Sequence, residues 1–176
     1  MLEVTYLKRI VPIEKEIKLF AGAISDIDSF RLIKRYFKMY SRVRDPFSDA
    51  RIYVSDRWYH PFDRSTLREF DSLVAQYITF GYQPEISDCD DFSNAVRYSQ
   101  VLLNVDHNKN FLVGEIWFKD LDRHFVHAMN FLMYKEGFRR YVIKMYEPQQ
   151  VSRRGTGVLD MDWWASTRKK IILIQY

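Results

Sequence analysis

The chain is poor in cysteine, glycine and proline: one Cys, six Gly and five Pro among 176 residues. A single cysteine cannot close an internal disulfide, so the redox compartment is left open and thiol chemistry is available to the chain. No repeat, low-complexity tract or Pro/Gly-rich linker divides the sequence, and one domain over 1–176 is expected, with a helical part at 1–80 and the remainder at 81–176. No apolar run approaches membrane-spanning length, and the first residues lack the basic, apolar and small-residue succession of a signal peptide. The expectation is therefore no membrane and a cytoplasmic chain, a virus-encoded one included.

Charge of one sign is also missing. Lys and Arg number 27 against 23 Asp and Glu, a net +4 that permits an acidic partner without requiring one. Arg31, Lys34, Arg35, Lys38, Arg42, Arg44 and Arg51 interleave with aromatics as on a nucleic-acid surface, but those aromatics repeat at helical spacing and no nucleic-acid motif is present. The basic residues read as a solvated face, and nucleic acid is not an expected partner. Apolar material is plentiful by contrast: 47% hydrophobic and 16% aromatic residues suffice for a core of ordinary size.

The first half reads as helical. Ser25 or Asp26 caps a helix to about Tyr40, and Asp63 or Ser65 caps another to about Thr79 with Leu67, Phe70, Val74, Tyr77 and Ile78 inward. Between them lies a loop with a short strand at Arg51–Val54. Beyond residue 110 the period changes to two. Phe111–Phe118, Phe125–Tyr134, Arg139–Glu147 and Lys169–Tyr176 read as strands, with a hairpin turn at Lys135-Glu136-Gly137. An α+β fold is predicted, a helical N-terminal half packed on a mainly antiparallel C-terminal sheet.

The chemistry concentrates at Ser87-Asp88-Cys89-Asp90-Asp91-Phe92, where the one thiol stands among three carboxylates at a helix start. Ser87 or Asp88 can cap, Asp90 and Asp91 occupy the first turn, and Phe92, Ala95, Val96, Ser99, Leu102 and Leu103 continue at helical spacing. Cys89 then lies by unpaired N–H groups that stabilise a thiolate. Strand parity adds two residues. His127 shares a face with Phe125, Met129, Phe131 and Met133, and Glu147 shares one with Ile143 and Met145. A hairpin centred on residue 137 sets 127 opposite 147. Nucleophile, base and orienting carboxylate are the set that activates a thiol for acyl transfer; a core histidine satisfied by a carboxylate is the structural alternative.

In the order Cys89, His127, Glu147 the chain resembles the papain-like and transglutaminase-like cysteine peptidase superfold. Through Asp88-Cys89-Asp90-Asp91-Phe92, His127-Ala128-Met129-Asn130 and Glu147-Pro148-Gln149 it is similar to the calcium-dependent protease domains of mushroom agglutinins and to related phage and bacterial domains. The resemblance implies a thiol hydrolase, a cysteine peptidase or amidase, working through a thioester on a peptide or peptidoglycan-like substrate. It also implies Gln83, six positions before Cys89, as an oxyanion donor, although Pro84 follows where glycine is usual. Crowding by Asp88, Asp90 and Asp91 opposes thiol ionisation, and Ca²⁺ held by Asp90, Asp91 and a third oxygen ligand would relieve it. The alternative on the same fold is a catalytically silent binding or assembly module, a phage one included.

Overall fold

In the computed structural model, residues 4–6, 22–78, 89–137 and 140–176 are described. Helix α1 (Asp26–Met39) starts where Ser25 accepts the amide of Asp28. Helix α2 (Arg64–Tyr77) starts in a capping box in which the Asp63 carboxylate takes the Thr66 amide and the Thr66 hydroxyl takes that of Asp63. Helix α3 (Cys89–His107) buries Phe92, Ser93, Val96, Ser99, Gln100 and Leu103, the stripe that helical spacing predicts together with two polar positions beside it. Two short helices, α4 (Val151–Arg154) and α5 (Met161–Ala165), follow late in the chain.

The strands are β1 (Val4–Tyr6), β2 (Ile24–Ser25), β3 (Arg51–Val54), β4 (Trp58–Tyr59), β5 (Val113–Asp120), β6 (Phe125–Glu136), β7 (Arg140–Tyr146), β8 (Val158–Leu159) and β9 (Lys169–Gln175). Seven of them form one sheet in the order β1-β3-β9-β5-β6-β7-β8. The β1–β3 and β3–β9 pairs are parallel and the other neighbours antiparallel. The fold is thus a mixed α/β one on a mixed sheet, which corrects one expectation. The first half is not purely helical, because β1 and β3 join the sheet. The last strand, β9, lies inside the sheet between β3 and β5.

Helices cover both faces of the sheet, so two cores form. On one side Met129, Phe131 and Met133 of β6 and Ile143 and Met145 of β7 pack with Ile33 and Phe37 of α1 and Trp164 of α5. On the other, Leu132 and Tyr146 pack with Phe70 and Val74 of α2 and Val96 and Leu103 of α3. A register shift where β5 meets β9 lets Ile171 and Ile174, three residues apart, enter the same core. Gly114 belongs to this packing too. A β-carbon there would stand 2.1 Å from the Phe131 ring, so only glycine lets β5 and β6 close over it.

The β6–β7 hairpin is centred on position 138, one later than the sequence arithmetic has it: Asn130 faces Tyr146 and Glu136 faces Arg140. Glu147 therefore follows the last paired residue of β7 and is not opposite His127. Because the offset is two residues, side-chain parity is unchanged. Strand β6 runs five residues beyond the end of β7, from Phe125 to Met129, and this overhang shapes the site.

Candidate functional site

Cys89 and His127 approach the overhang from different sides. His127 stands on the β6 face that enters the α1 core, between Phe125 and Met129. Helix α3 lies across the opposite face, where Asn130 donates to the Ser93 carbonyl at 3.5 Å and to the Gly114 carbonyl at 3.3 Å. The two meet only because β7 stops at Tyr146 and leaves the β6 edge open. The first residue of α3 reaches that edge, and the Ala128 amide donates to Cys89 Sγ at 3.5 Å. The thiol thus sits one residue along the strand from the imidazole. Asn130, buried on the α3 face, is not an orienting group for His127.

His127 Nε2 and Glu147 Oε2 are 3.4 Å apart, with 22% and 15% of the two side chains exposed. That engages Nε2 and leaves Nδ1 as the other ring nitrogen. The imidazole is flanked edge-on by Phe118 at 5.7 Å and Phe125 at 6.1 Å between ring centres. Phe125 and Val126, at the start of the overhang, are exposed. Glu147 is fixed at both ends: its amide donates to the Gly157 carbonyl at 2.8 Å, and its carboxylate takes the Gln149 amide at 3.4 Å.

Of the expected site residues, Cys89, His127 and Glu147 are brought together. Gln83 lies outside the described residues, as do Ser87 and Asp88. Asp90 is half-buried and Asp91 exposed in the first turn of α3. Among the described residues no three His, Cys, Asp or Glu side chains gather as metal ligands, so Ca²⁺ at Asp90 and Asp91 would draw the rest of its oxygen shell from elsewhere, main-chain carbonyls and water included.

Behind the pair is a buried carboxylate that sequence reasoning missed. Asp71 of α2 accepts the Tyr146 hydroxyl at 2.7 Å and the Gly157 amide at 3.1 Å. Burial pushes the Asp71 carboxyl up, and bonds from Tyr146, Thr156 and Gly157 oppose it; burial and the neighbouring Asp71 push the Tyr146 phenol well above its ordinary range. The signal was legible: Asp71 lies between Phe70 and Val74 on the inward stripe of α2, where an acid is out of place without partners.

No family model matches the chain, and no curated protein does. Solved structures do. PSL1a in complex with E64 matches with TM-score 0.65 and 17% identity over 88% of this chain and 50% of that one. Polyporus squamosus lectin bound to the human-type influenza-binding epitope Neu5Aca2-6Galb1-4GlcNAc matches with TM-score 0.59 and 16% identity, again over 88% of this chain and 50% of that one. The chain thus spans about half the length of these structures. At such identities the likeness is one of fold.

These neighbours correct the expected function. One of them is a lectin with a glycan bound, and that finding overturns the expected thiol hydrolase, its peptidase and papain-like functional labels, and the peptide substrate. The physical reason is that three residues in a row of roles are not a reaction. The oxyanion donor that amide hydrolysis needs was assigned to Gln83, outside the described residues, and His127 and Glu147 also fit a structural pair. Among the described residues no helix is long and apolar enough to cross a membrane.

Proposed function

We propose that the chain is a ligand-binding protein that takes a glycan on the β6 overhang, between Cys89, His127 and Glu147. The observation that carries this reading is the grouping of a partly exposed imidazole–carboxylate pair with the exposed ring of Phe125. Hydroxyls of a sugar can donate to the carboxylate and exchange hydrogen bonds with the imidazole, while its C–H face lies on the aromatic ring. The glycan-bound lectin of like fold agrees with it. The test is a titration with Neu5Acα2-6Galβ1-4GlcNAc followed by amide resonances. Shifts gathered at 125–128 and 147, lost in Phe125→Ala, are expected; shifts elsewhere, or none at millimolar sugar, overturn the reading.

A second reading, enzymatic in kind, is favoured by the Ala128 amide aimed at Cys89 Sγ. Here the site captures an electrophile covalently. The sulfur attacks the electrophilic carbon, its proton passes to His127 Nδ1, and Glu147 accepts the hydrogen bond from Nε2 as the leaving group departs with its electron pair. Iodoacetamide, which loses iodide, is one probe, and E64, the ligand of the PSL1a complex, is another. With E64 the epoxide C–O bond breaks, and the oxygen keeps the electron pair, stays on the adjacent carbon and takes the proton back from His127. A Cys89 adduct in native protein at neutral pH supports capture. Labelling only on unfolding sinks it.

Two finer proposals accompany these. We propose that the helix start bearing Cys89, the strand bearing His127 and the segment after β7 bearing Glu147 follow the papain-like and transglutaminase-like superfold, in architecture and not in activity. Calcium is proposed at Asp90 and Asp91, whose carboxylates at a helix start are oxygen ligands of the hard kind this ion takes.

A further inference from the structure

A buried relay runs from α2 to the site. Asp71, 5% exposed, takes the hydroxyl of Tyr146 and the amide of Gly157 on one carboxylate oxygen. Gly157 in turn accepts the amide of Glu147 on its carbonyl, at 2.8 Å. The two polar groups of one glycine therefore connect the carboxylate of Asp71 to the backbone of Glu147. Tyr146, the residue before Glu147, is held by the same oxygen. The tyrosine ring also fills the space where a side chain at 157 would go: a β-carbon there would stand 2.6 Å from it. The chain segment on either side of Glu147 is thus clamped where its pairing with β6 has ended, at the last step of the β7–β8 ladder.

We infer that Asp71 is a positioning residue for the site: through Tyr146 and Gly157 it sets the placement of Glu147, and through Glu147 the orientation of the His127 ring. This rests on the reading that His127 and Glu147 are the working pair. An aspartate buried for stability alone would serve as well with its partners anywhere on β7 or the 155–160 loop. Here the bonds go to the residue that precedes Glu147 and to the glycine whose carbonyl takes the Glu147 amide.

The test is a double-mutant cycle read on the His127 ring resonances, with Cys89 alkylation followed in parallel. Glu147→Gln moves the ring resonances by removing the carboxylate directly. Asp71→Ala is expected to move them in the same direction, and Asp71→Ala with Glu147→Gln to give the same spectrum as Glu147→Gln alone, because Asp71 acts only through Glu147. Asp71→Asn, which keeps the accepting oxygen, should restore the wild-type ring position. Tyr146→Phe removes one donor with the ring retained and should give a partial shift, which keeps the test usable where Asp71→Ala does not fold. The inference is overturned where Asp71→Ala and Tyr146→Phe lower the melting temperature and leave the His127 resonances in place, or where shifts from Asp71→Ala persist undiminished in the Glu147→Gln background. The reading beneath it fails separately: alkylation of Cys89 would then be indifferent to Glu147→Gln and His127→Ala while the ring resonances still move.

Discussion

His127 Nε2 stands 3.4 Å from Glu147 Oε2 although the two are not opposite one another in the sheet. Strand register sets Asn130 against Tyr146, so Glu147 lies diagonally across from His127, two positions from the partner that a centred hairpin would give. Long side chains close such diagonals. If the pair serves Cys89, His127→Ala should slow iodoacetamide labelling at pH 7 by about a hundredfold, the scale of a lost general base, and Glu147→Gln by less. Intact-mass kinetics would check this, and equal rates in all three proteins would reduce the pair to a structural one.

Gly114 offers a test of the fold independent of the site. Its missing side chain is what admits the Phe131 ring beneath β5, and Gly114→Ala would drive a methyl group into ring atoms at 2.1, 2.4 and 2.8 Å. Overpacking of this kind should cost about 1–3 kcal/mol in urea denaturation. Pairing it with Phe131→Leu should return part of that loss, since the smaller side chain vacates the contact. No loss in the single variant would mean the strands are spaced otherwise.

The Asp63 cap yields a pH dependence with a definite sign. Hydrogen bonds from the Thr66 amide, foremost, and from the Ser65 and Thr66 hydroxyls and Ser65 amide hold its carboxyl down at about 2, from 3.8. A group whose acidity is strengthened by folding contributes stability that is whole above the unfolded value and is lost as pH falls through the folded one. The side chain is largely exposed, so the expected cost of Asp63→Ala is that of an ordinary N-cap, about 1 kcal/mol. Melting curves of wild type and variant should be separated by that amount at pH 6 and should converge between pH 4 and 2. A gap that stays constant across this range would mean that the carboxylate charge plays no part.

Much of this molecule could be read before its structure. The period-two stretches found β5, β6, β7 and β9 within two residues at each end, and both cap residues, Ser25 and Asp63, were named from type and position. Cys89, His127 and Glu147 were grouped because strand parity survives an error of two in register. What escaped was long-range. Nothing local says that β9 inserts beside β3, since that pairing joins residues 122 apart and depends on both faces of the sheet finding helices. The same blindness hid the site's construction: periodicity placed His127 on a core face but could not show that α3 packs on the other one. It also missed Asp71, whose partners Tyr146 and Gly157 lie far along the chain, and it offered a hydrolase where one solved structure of like fold is a glycan-bound lectin.

Calcium at the start of α3 is tested through stability. Asp90 and Asp91 follow Cys89 in the first turn, where the helix dipole already offsets part of their mutual repulsion. Successive helical side chains diverge, so a bound ion would be shared by two differently directed carboxylates and completed by other oxygens. An ion that binds only the folded chain stabilises it by about 2.7 kcal/mol at one hundred times its dissociation constant, which for a chain of this size is a rise of roughly 5–11 °C in melting temperature. Millimolar Ca²⁺ over EDTA should produce a shift of that order in the wild type and none in Asp90→Asn with Asp91→Asn, while Mg²⁺, which tolerates less irregular geometry, should do less. Identical curves with chelator and with Ca²⁺ would remove the ion from the site, and the two acids would then serve only to begin the helix that delivers Cys89 to the edge of β6.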